Sequence, residues 1–415
     1  MFLIRYIVEY FGLVLSLFLV LLILAKKKEA RATMAWIIFI IFLPYFGAAA
    51  YIILGNPRLK KIHKKVTRPQ KIFYDKISET TEEYHNCLIG HEIEKTTGLA
   101  PFLCGDIKFI KNASFKYSRL SEDILNAKKF ILIEYYLFRY DDTGKHFIEL
   151  LKKKLKEGVK VFFLYDGVGS MGLSLRHFIK EFKSLGGRAE AFLSPFDVRF
   201  LSRMNFRNHR KLVVVDGELC YLGGINVGNE YYGDDETGLD WEDAHVRFKG
   251  EAVVSTLEIF VDDWYFATGE DLTYCLERPS VSVRGDTAVH IIPSGPYKNI
   301  NKTYTSIFSM ITGAKKNINI VTPYLVPDES VMELLKFASL RGVNVSIILP
   351  GINNHPFVAA AARSYYEELV DCGVKIYEVS GKMLHAKLIT IDDRISFIGS
   401  SNMDNRSFKI NFELN

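Results

Sequence analysis

The sequence predicts an α/β protein of two pseudo-symmetric halves with mixed β-sheets, preceded by two transmembrane helices. Three observations predict it. A pattern of histidine, lysine, aspartate, glycine and asparagine occurs twice at one spacing. The segments flanking the two copies recur in the same order. The first 55 residues hold two long apolar runs that the rest of the chain lacks.

The apolar runs, about residues 6–25 and 34–54, each approach the ~20 residues a helix needs to cross a bilayer. A cleaved signal peptide fits poorly, because the first run lacks a small-residue cleavage site and a second run follows at once. Pro44 and Gly47 in the second run are tolerated in membrane helices. Two spans leave both chain ends on one side. The segment 58–71 carries Arg58, Lys60, Lys61, Lys64, Lys65, Arg68 and Lys71 with no acidic residue, against Lys26, Lys27, Lys28 and Arg31 between the spans. Positive charge concentrates on cytoplasmic flanks, so the chain beyond the spans, the catalytic region included, is expected in the cytoplasm, with its basic segment beside anionic head groups that attract it by about 1 kcal/mol per charge.

With 415 residues, the chain is long enough for two sizeable cores. "AKKFILIEYYLF" at 127–138 parallels "AKKNINIVTPYLV" at 314–326, an amphipathic helical stretch follows each, and "VKVFFLYDG" parallels "VNVSIILPG". The alternation of strand and helix predicts central strands that are largely parallel. The expected division is 1–55 for the two spans, 56–103 for a basic linker and helical lead-in, 104–278 for the first half and 279–415 for the second. The first half continues after its motif through "WEDAHVRFKGEAVVSTLEIFVDDW", whereas only "MDNRSFKINFELN" follows the second, so the sequence reads as stopping short of a closing segment. The cysteines Cys87, Cys104, Cys220, Cys275 and Cys372 are scattered and are expected to be packing residues rather than metal ligands or disulfide partners.

The repeated pattern is H-x-K, four residues, D, six residues, G-[GS]-x-N: His209, Lys211, Asp216, Gly223 and Asn226, then His385, Lys387, Asp392, Gly399 and Asn402. One H-x-K-x4-D arises by chance in such a chain on the order of a few per cent of the time, and a second with the same trailing residues is not chance. Each copy reads as a β-hairpin about a two-residue turn, Asp216-Gly217 or Asp392-Asp393. Counting outward pairs Val215 with Glu218, Lys211 with Leu222 and His209 with Gly224, and in the second copy Lys387 with Ile398 and His385 with Ser400. His209 and Lys211 share a strand face. Asp216 and Asp392 sit at the turns, where fixing the backbone competes with a direct catalytic role. A histidine, a lysine and an asparagine on one face suit a phosphate. Phosphoryl transfer needs an attacking group and a leaving-group acid on opposite sides of one phosphorus, which one histidine per half supplies. The lysines can neutralise the phosphate, so no metal and no cofactor is expected.

These paired motifs resemble those of the phospholipase D superfamily. With the N-terminal spans, the basic connector, "IIPSGP" at 291–296 and "SSNMDNRSFKINFE" at 400–413, the chain is similar to the bacterial cardiolipin synthases over nearly its whole length. The resemblance implies two phospholipase D-like halves that join two phosphatidylglycerol molecules into cardiolipin and glycerol. It implies His209 as the nucleophile that forms a phosphohistidine, and His385 as the acid and then base. Lys211, Lys387, Asn226 and Asn402 would hold phosphate oxygens, while Asp243 and Glu413 would orient the histidines. One neutral and one protonated histidine would give a bell-shaped pH profile. The expected partners are phosphatidylglycerol, anionic membrane lipids and the bilayer itself. A lipid hydrolase passing the same intermediate to water is the nearest alternative. A nuclease is disfavoured because the basic residues gather beside the membrane, and no nucleic acid is expected. An inactive lipid-binding scaffold would need neither the histidines nor the lysines.

Overall fold

The computed structural model describes residues 2–25, 30–55, 84, 87–174, 178–197, 203, 205–232, 240–274, 285–296, 300–353 and 355–415. The basic segment 58–71, the loop lysines Lys26, Lys27 and Lys28, and Cys275 lie outside the described residues. The chain forms two compact units, Met1–Ile62 with Phe196–Asn205, and His63–Pro195 with Phe206–Asn415.

The first unit holds helices α1 (Phe2–Ala25), α2 (Ala30–Phe42) and α3 (Pro44–Leu54). The second expected span is therefore two helices. Pro44 has no N–H to continue α2 and occupies the first turn of α3 instead. Gly47 lets α3 fold against α2, since a Cβ there would lie 2.9 Å from the Ile40 Cα and the Phe39 carbonyl oxygen. Leu19, Ile23, Ile40, Ala48 and Tyr51 form the small core, and Ser16 donates to the Ile40 carbonyl at 3.2 Å. Around it Phe11, Leu17, Phe18, Ile41, Phe42 and Phe46 are exposed. The side chains of α1 are described from Tyr10 onward, and among the described residues no helix is long and apolar enough to cross a membrane.

The second unit contains both motif-bearing halves. Its first sheet uses β1 (Phe102–Ile110), β2 (Phe130–Tyr135), β3 (Lys160–Asp166), β4 (Arg188–Phe192), β5 (Lys211–Val215) and β6 (Leu219–Gly223). After β7 (Asp240–Glu242), which lies outside it, come β8 (His245–Gly250) and β9 (Thr287–Val289), giving the order β4-β3-β2-β5-β6-β8-β1-β9. Beyond β10 (Pro293–Ser294), the second half supplies β11 (Asn317–Val321), β12 (Leu325–Val326), β13 (Asn344–Pro350), β14 (Lys375–Val379), β15 (Lys382–Leu384), β16 (Leu388–Ile391) and β17 (Ile395–Ile398). It ends with β18 (Met403–Asp404) and β19 (Glu413–Leu414), and its sheet has the order β14-β13-β11-β16-β17.

The repeat is plain in this order: β4-β3-β2-β5-β6 matches β14-β13-β11-β16-β17. Within these two sheets, among the described residues, only β2, β3, β4 and their counterparts run parallel; the hairpins β5–β6 and β16–β17 join antiparallel. The expectation of largely parallel central strands is thus corrected, because each motif is a hairpin and a hairpin can add to the sheet only as an antiparallel pair of its own. Helices following β2 and β11 start alike. Asp141 caps Asp142–Lys156 by accepting from Gly144 N–H at 3.0 Å, and Asp328 caps Glu329–Leu340 from Val331 N–H at 3.2 Å. Phe147, Ile148, Leu151 and Leu155 recur at helical spacing on the buried face of the first. Each half has its own core, and Ile89 and Ile93 of the expected lead-in helix belong to the second.

Two short pairings join the halves, and a third lies within the second half beside them. β7 runs parallel to β15, β10 pairs antiparallel with β19, and Asn208 bridges Phe412. These connections decide the site.

Candidate active site

Both motif hairpins turn as the sequence predicts but pair one residue out of the predicted register. Asp216 and Gly217 take positive φ of 53° and 71°, and Asp392 and Asp393 take 53° and 56°. The turns close through Glu218 N–H on the Val215 carbonyl and Arg394 N–H on the Ile391 carbonyl, both at 3.0 Å. The ladders nevertheless pair Val215 with Leu219 and Ile391 with Ile395. Glu218 and Arg394 are each an extra residue on the returning strand, a bulge that a count of turn residues does not reveal. The predicted partners Leu222 and Ile398 therefore face Leu212 and Leu388, leaving Lys211 and Lys387 level with Gly223 and Gly399.

Both aspartates, counted in the catalytic set from the sequence, are held at the turns by backbone N–H groups. Asp216 accepts from the backbone N–H groups of Lys128, Lys129 and Phe130 at 2.8, 2.7 and 3.0 Å. Asp392 accepts from Lys315, Lys316 and Asn317 at the same three distances. Each carboxylate ties its hairpin to the start of the neighbouring strand. Asp216 lies five positions along the strand from Lys211, roughly 16 Å along the chain.

The histidines are not paired within their own hairpins as predicted. His209 N–H donates to the Phe412 carbonyl at 2.9 Å, and His385 N–H donates to the Glu242 carbonyl at 2.7 Å. The residue after each acceptor carries the orienting carboxylate. Glu413 Oε2 lies 3.0 Å from His209 Nδ1, and Asp243 Oδ2 lies 2.8 Å from His385 Nδ1. Each half thus orients the other half's histidine.

The trailing glycines make this crossing possible. A Cβ on Gly224 would meet Asp243 Oδ1 at 2.0 Å, and one on Gly399 would meet the Leu414 carbonyl at 2.4 Å. Ser400, level with Gly224 in the repeat, is accommodated because its hydroxyl donates to Glu413.

His209 Nδ1 faces two acceptors, Glu413 and the Ser400 carbonyl, both at 3.0 Å. It must carry the ring proton, which leaves Nε2 bare and nucleophilic. His385 Nδ1 likewise donates to Asp243. Lys387 Nζ lies 2.8 Å from Nδ1 and 3.1 Å from Nε2. With Nδ1 committed to Asp243, the ammonium's partner on the ring is Nε2. Lys211 Nζ instead donates to the His209 carbonyl at 2.7 Å and sits over the Tyr136 ring, against which His209 also stands.

Burial dominates the electrostatics. It lowers His209, opposed by Glu413, and with Lys387 it takes His385 down to about 4. Lys211 falls to about 7 and Lys387 to about 8, again chiefly through burial. Burial raises Glu413 and Asp243, but the neighbouring histidines and lysines outweigh it and hold both ionised. The influences cross the halves: Lys387 acts on His209, Lys211 acts on His385, and the lysines act on the same two carboxylates. The two motifs therefore form one site, with desolvated cations that an incoming phosphate would let charge.

The asparagines differ. Asn226 is engaged, accepting from Leu137 N–H at 3.3 Å and donating to the Tyr231 hydroxyl. Asn402 is buried and its side-chain oxygen has no partner among the described residues. Sequence reasoning missed Tyr136, Ser400 and the rings of Tyr231, Trp241 and Tyr324 around His385. Ser400 lay within the repeated pattern and could have been found there, and Trp241 lies in β7 two residues before Asp243; Tyr136, Tyr231 and Tyr324 come from other segments and carry no signal in the pattern.

The chain is similar to known proteins over nearly its whole length. Residues 120–264 and 307–415 match the family described as cardiolipin synthase, PLD-like domain, and residues 14–56 match a phospholipase D-nuclease N-terminal family. The chain is 36% identical to a cardiolipin synthase of Alkalihalophilus pseudofirmus, over 96% of this chain and 82% of the relative. It is 35% identical to a cardiolipin synthase of Staphylococcus aureus, over 96% of this chain and 84% of the relative. The crystal structure of a phosphatidylserine synthase from Haemophilus influenzae superposes with a TM-score of 0.57 at 16% identity, over 79% of this chain and 85% of that one, a likeness of fold.

Proposed function

The chain belongs to the cardiolipin synthase family with phospholipase D-like domains, and from that membership we propose that it joins two phosphatidylglycerol molecules into cardiolipin and glycerol through a phosphohistidine. The crossed pairs His209–Glu413 and His385–Asp243 carry this reading. His209 Nε2 attacks phosphorus as the bond to the glycerol oxygen breaks, and His385 gives that oxygen its proton. The terminal hydroxyl of a second phosphatidylglycerol then loses its proton to His385 and attacks phosphorus. The P–N bond breaks, cardiolipin leaves and His209 is restored. Lys211, Lys387 and Asn402 hold the phosphate oxygens. The phosphodiester charge raises His385 from its depressed value, so the acid is made by substrate binding.

The N-terminal unit is read as the membrane anchor of a multi-pass protein of the cell membrane. The 24 residues of α1 give a helix axis of about 36 Å, of which the described side chains, from Tyr10 onward, cover only part, and the exposed apolar side chains around the helices suit lipid. α2 and α3 would form a second passage bent at Pro44. Charge on 58–71 favours a cytoplasmic catalytic region.

The test incubates the full chain in detergent micelles with phosphatidylglycerol and resolves the products. Cardiolipin with equimolar glycerol supports synthesis. Phosphatidic acid alone would instead establish a hydrolase, and no turnover would leave a scaffold or nuclease. Protease protection in oriented vesicles checks the sidedness.

A further inference from the structure

The residue between His209 and Lys211 breaks the internal symmetry. Arg210, immediately before β5, points to the face opposite His209 and Lys211, is 1% exposed, and has Ala386 as its counterpart in the second motif. Its guanidinium donates from Nε to the Glu413 carbonyl and from Nη2 to the Ser294 carbonyl, both at 3.1 Å, and from Nη1 to Asp263. Ser294 and Glu413 are the register partners that join β10 to β19. One side chain therefore holds both strands of the pairing that delivers Glu413 to His209. Behind it lies buried Glu134, which accepts from Asn208. Burial raises both Glu134 and Asp263, consistent with a carboxyl pair that retains a proton beside a single guanidinium.

The matching place in the second half is apolar. Sheet register sets Glu134 beside Leu212 and Val321 beside Leu388, so Val321 takes the place of Glu134. Leu384 and Ala386 replace Asn208 and Arg210 and pack with Ala244, Val321 and Leu388. Buried ionic groups add little stability compared with apolar packing, so a network confined to one of two equivalent places calls for a positional reason.

We propose that Arg210, anchored by Asp263, is a positioning residue for His209 alone, acting by fixing the Glu413 main chain and so the carboxylate that holds His209 Nδ1. The inference rests on the reading of His209 as a reacting group oriented by Glu413. A closed circuit results: the His209 ring to the Glu413 carboxylate, the Glu413 carbonyl to Arg210, and Arg210 back to His209 through one peptide. His385 has no such circuit. The charged and titratable groups facing His209 are Glu413, Lys211, Lys387, Asp404 and the Tyr136 ring. Of these Glu413 does most to keep its basicity up.

The experiment uses the full chain in micelles and compares Arg210→Ala, Arg210→Lys, Glu413→Gln and the double variant Arg210→Ala/Glu413→Gln. Arg210→Met/Asp263→Leu serves as an apolar replacement that removes the ion pair and leaves Glu134 to stay protonated, if Arg210→Ala does not fold. Arg210→Ala is expected to lower kcat roughly 10- to 100-fold with KM within about threefold. The acid limb of kcat/KM should move to lower pH, because His209 loses its carboxylate, and Arg210→Lys should recover part of the loss. The double variant should be no worse than Glu413→Gln alone. The apolar pair should reproduce the kcat loss and the limb shift. Additive losses with an unmoved acid limb, or full activity in the apolar pair, would overturn the proposal. Glu413→Gln with full activity would overturn the underlying reading instead, so the two failures are distinguishable.

Discussion

The carboxylate of Glu413 lies 3.0 Å from Nδ1 of His209, a residue 204 positions away and in the other half of the protein. Asp243 makes the mirror contact with His385 across 142 positions. Neither half alone holds its histidine in this way, so the proposed active site needs both halves. Glu413→Gln and Asp243→Asn should each cut kcat roughly 10- to 100-fold while leaving the folded state intact, as expected for groups that fix a ring tautomer. Steady-state rates beside thermal melts check it; unchanged kcat in either variant would remove that carboxylate from the scheme.

The division of labour between the histidines has its own test. A phosphatidyl ester with an acidic leaving group, such as p-nitrophenol, needs no proton donor to depart. His385→Ala should then release one equivalent of nitrophenol in a burst and stall, because nothing activates the acceptor hydroxyl. His209→Ala should show no burst. A burst from His209→Ala with none from His385→Ala would exchange the two roles.

Asp216→Ala and Asp392→Ala should act on stability, not chemistry. Each leaves three backbone N–H groups without their acceptor, and puts alanine at a φ of 53°. The expected cost is about 1–3 kcal/mol, read as a lower midpoint of thermal unfolding with near-normal kcat in the protein that remains folded. Asparagine, which tolerates positive φ and keeps one acceptor, should cost less. Loss of kcat without loss of stability would restore a catalytic role.

These aspartates also mark where the sequence could be read and where it could not. Hairpin, turn and repeat are local patterns, so His209, Lys211, His385 and Lys387 could be found by spacing. The one-residue bulge at Glu218 and Arg394 leaves no trace in composition, and it displaced the register. Which carboxylate serves which histidine depends on β10–β19 and β7–β15, pairings of two or three residues that link distant parts of the chain. Resemblance supplied Asp243 and Glu413; only the fold supplied the crossing. Arg210 was hidden for another reason, since it occupies the variable position of the motif and its partners Asp263 and Ser294 come from segments with no part in the pattern.

The lysines give the site a pH dependence whose sign follows from burial. With the site empty, Lys211 at about 7 and Lys387 at about 8 lose their protons as pH rises through these values. A phosphodiester binds the charged forms better, so above about pH 8 each lysine must take up a proton on binding. One proton taken up costs about 1.4 kcal/mol, or tenfold in affinity, per pH unit. Apparent KM should therefore climb between pH 8 and 9.5 at constant lipid surface fraction, with a shallower climb in Lys387→Met because one proton uptake is gone. The same substitution, or Lys211→Met, should lower kcat roughly 10²- to 10³-fold at neutral pH by removing a cation from the transferring phosphoryl group. If these cations do the neutralising, a chelator should leave the rate unchanged. A flat KM profile, or full rates in both lysine variants together with loss of activity in a chelator, would shift phosphate neutralisation from the lysines to a metal ion.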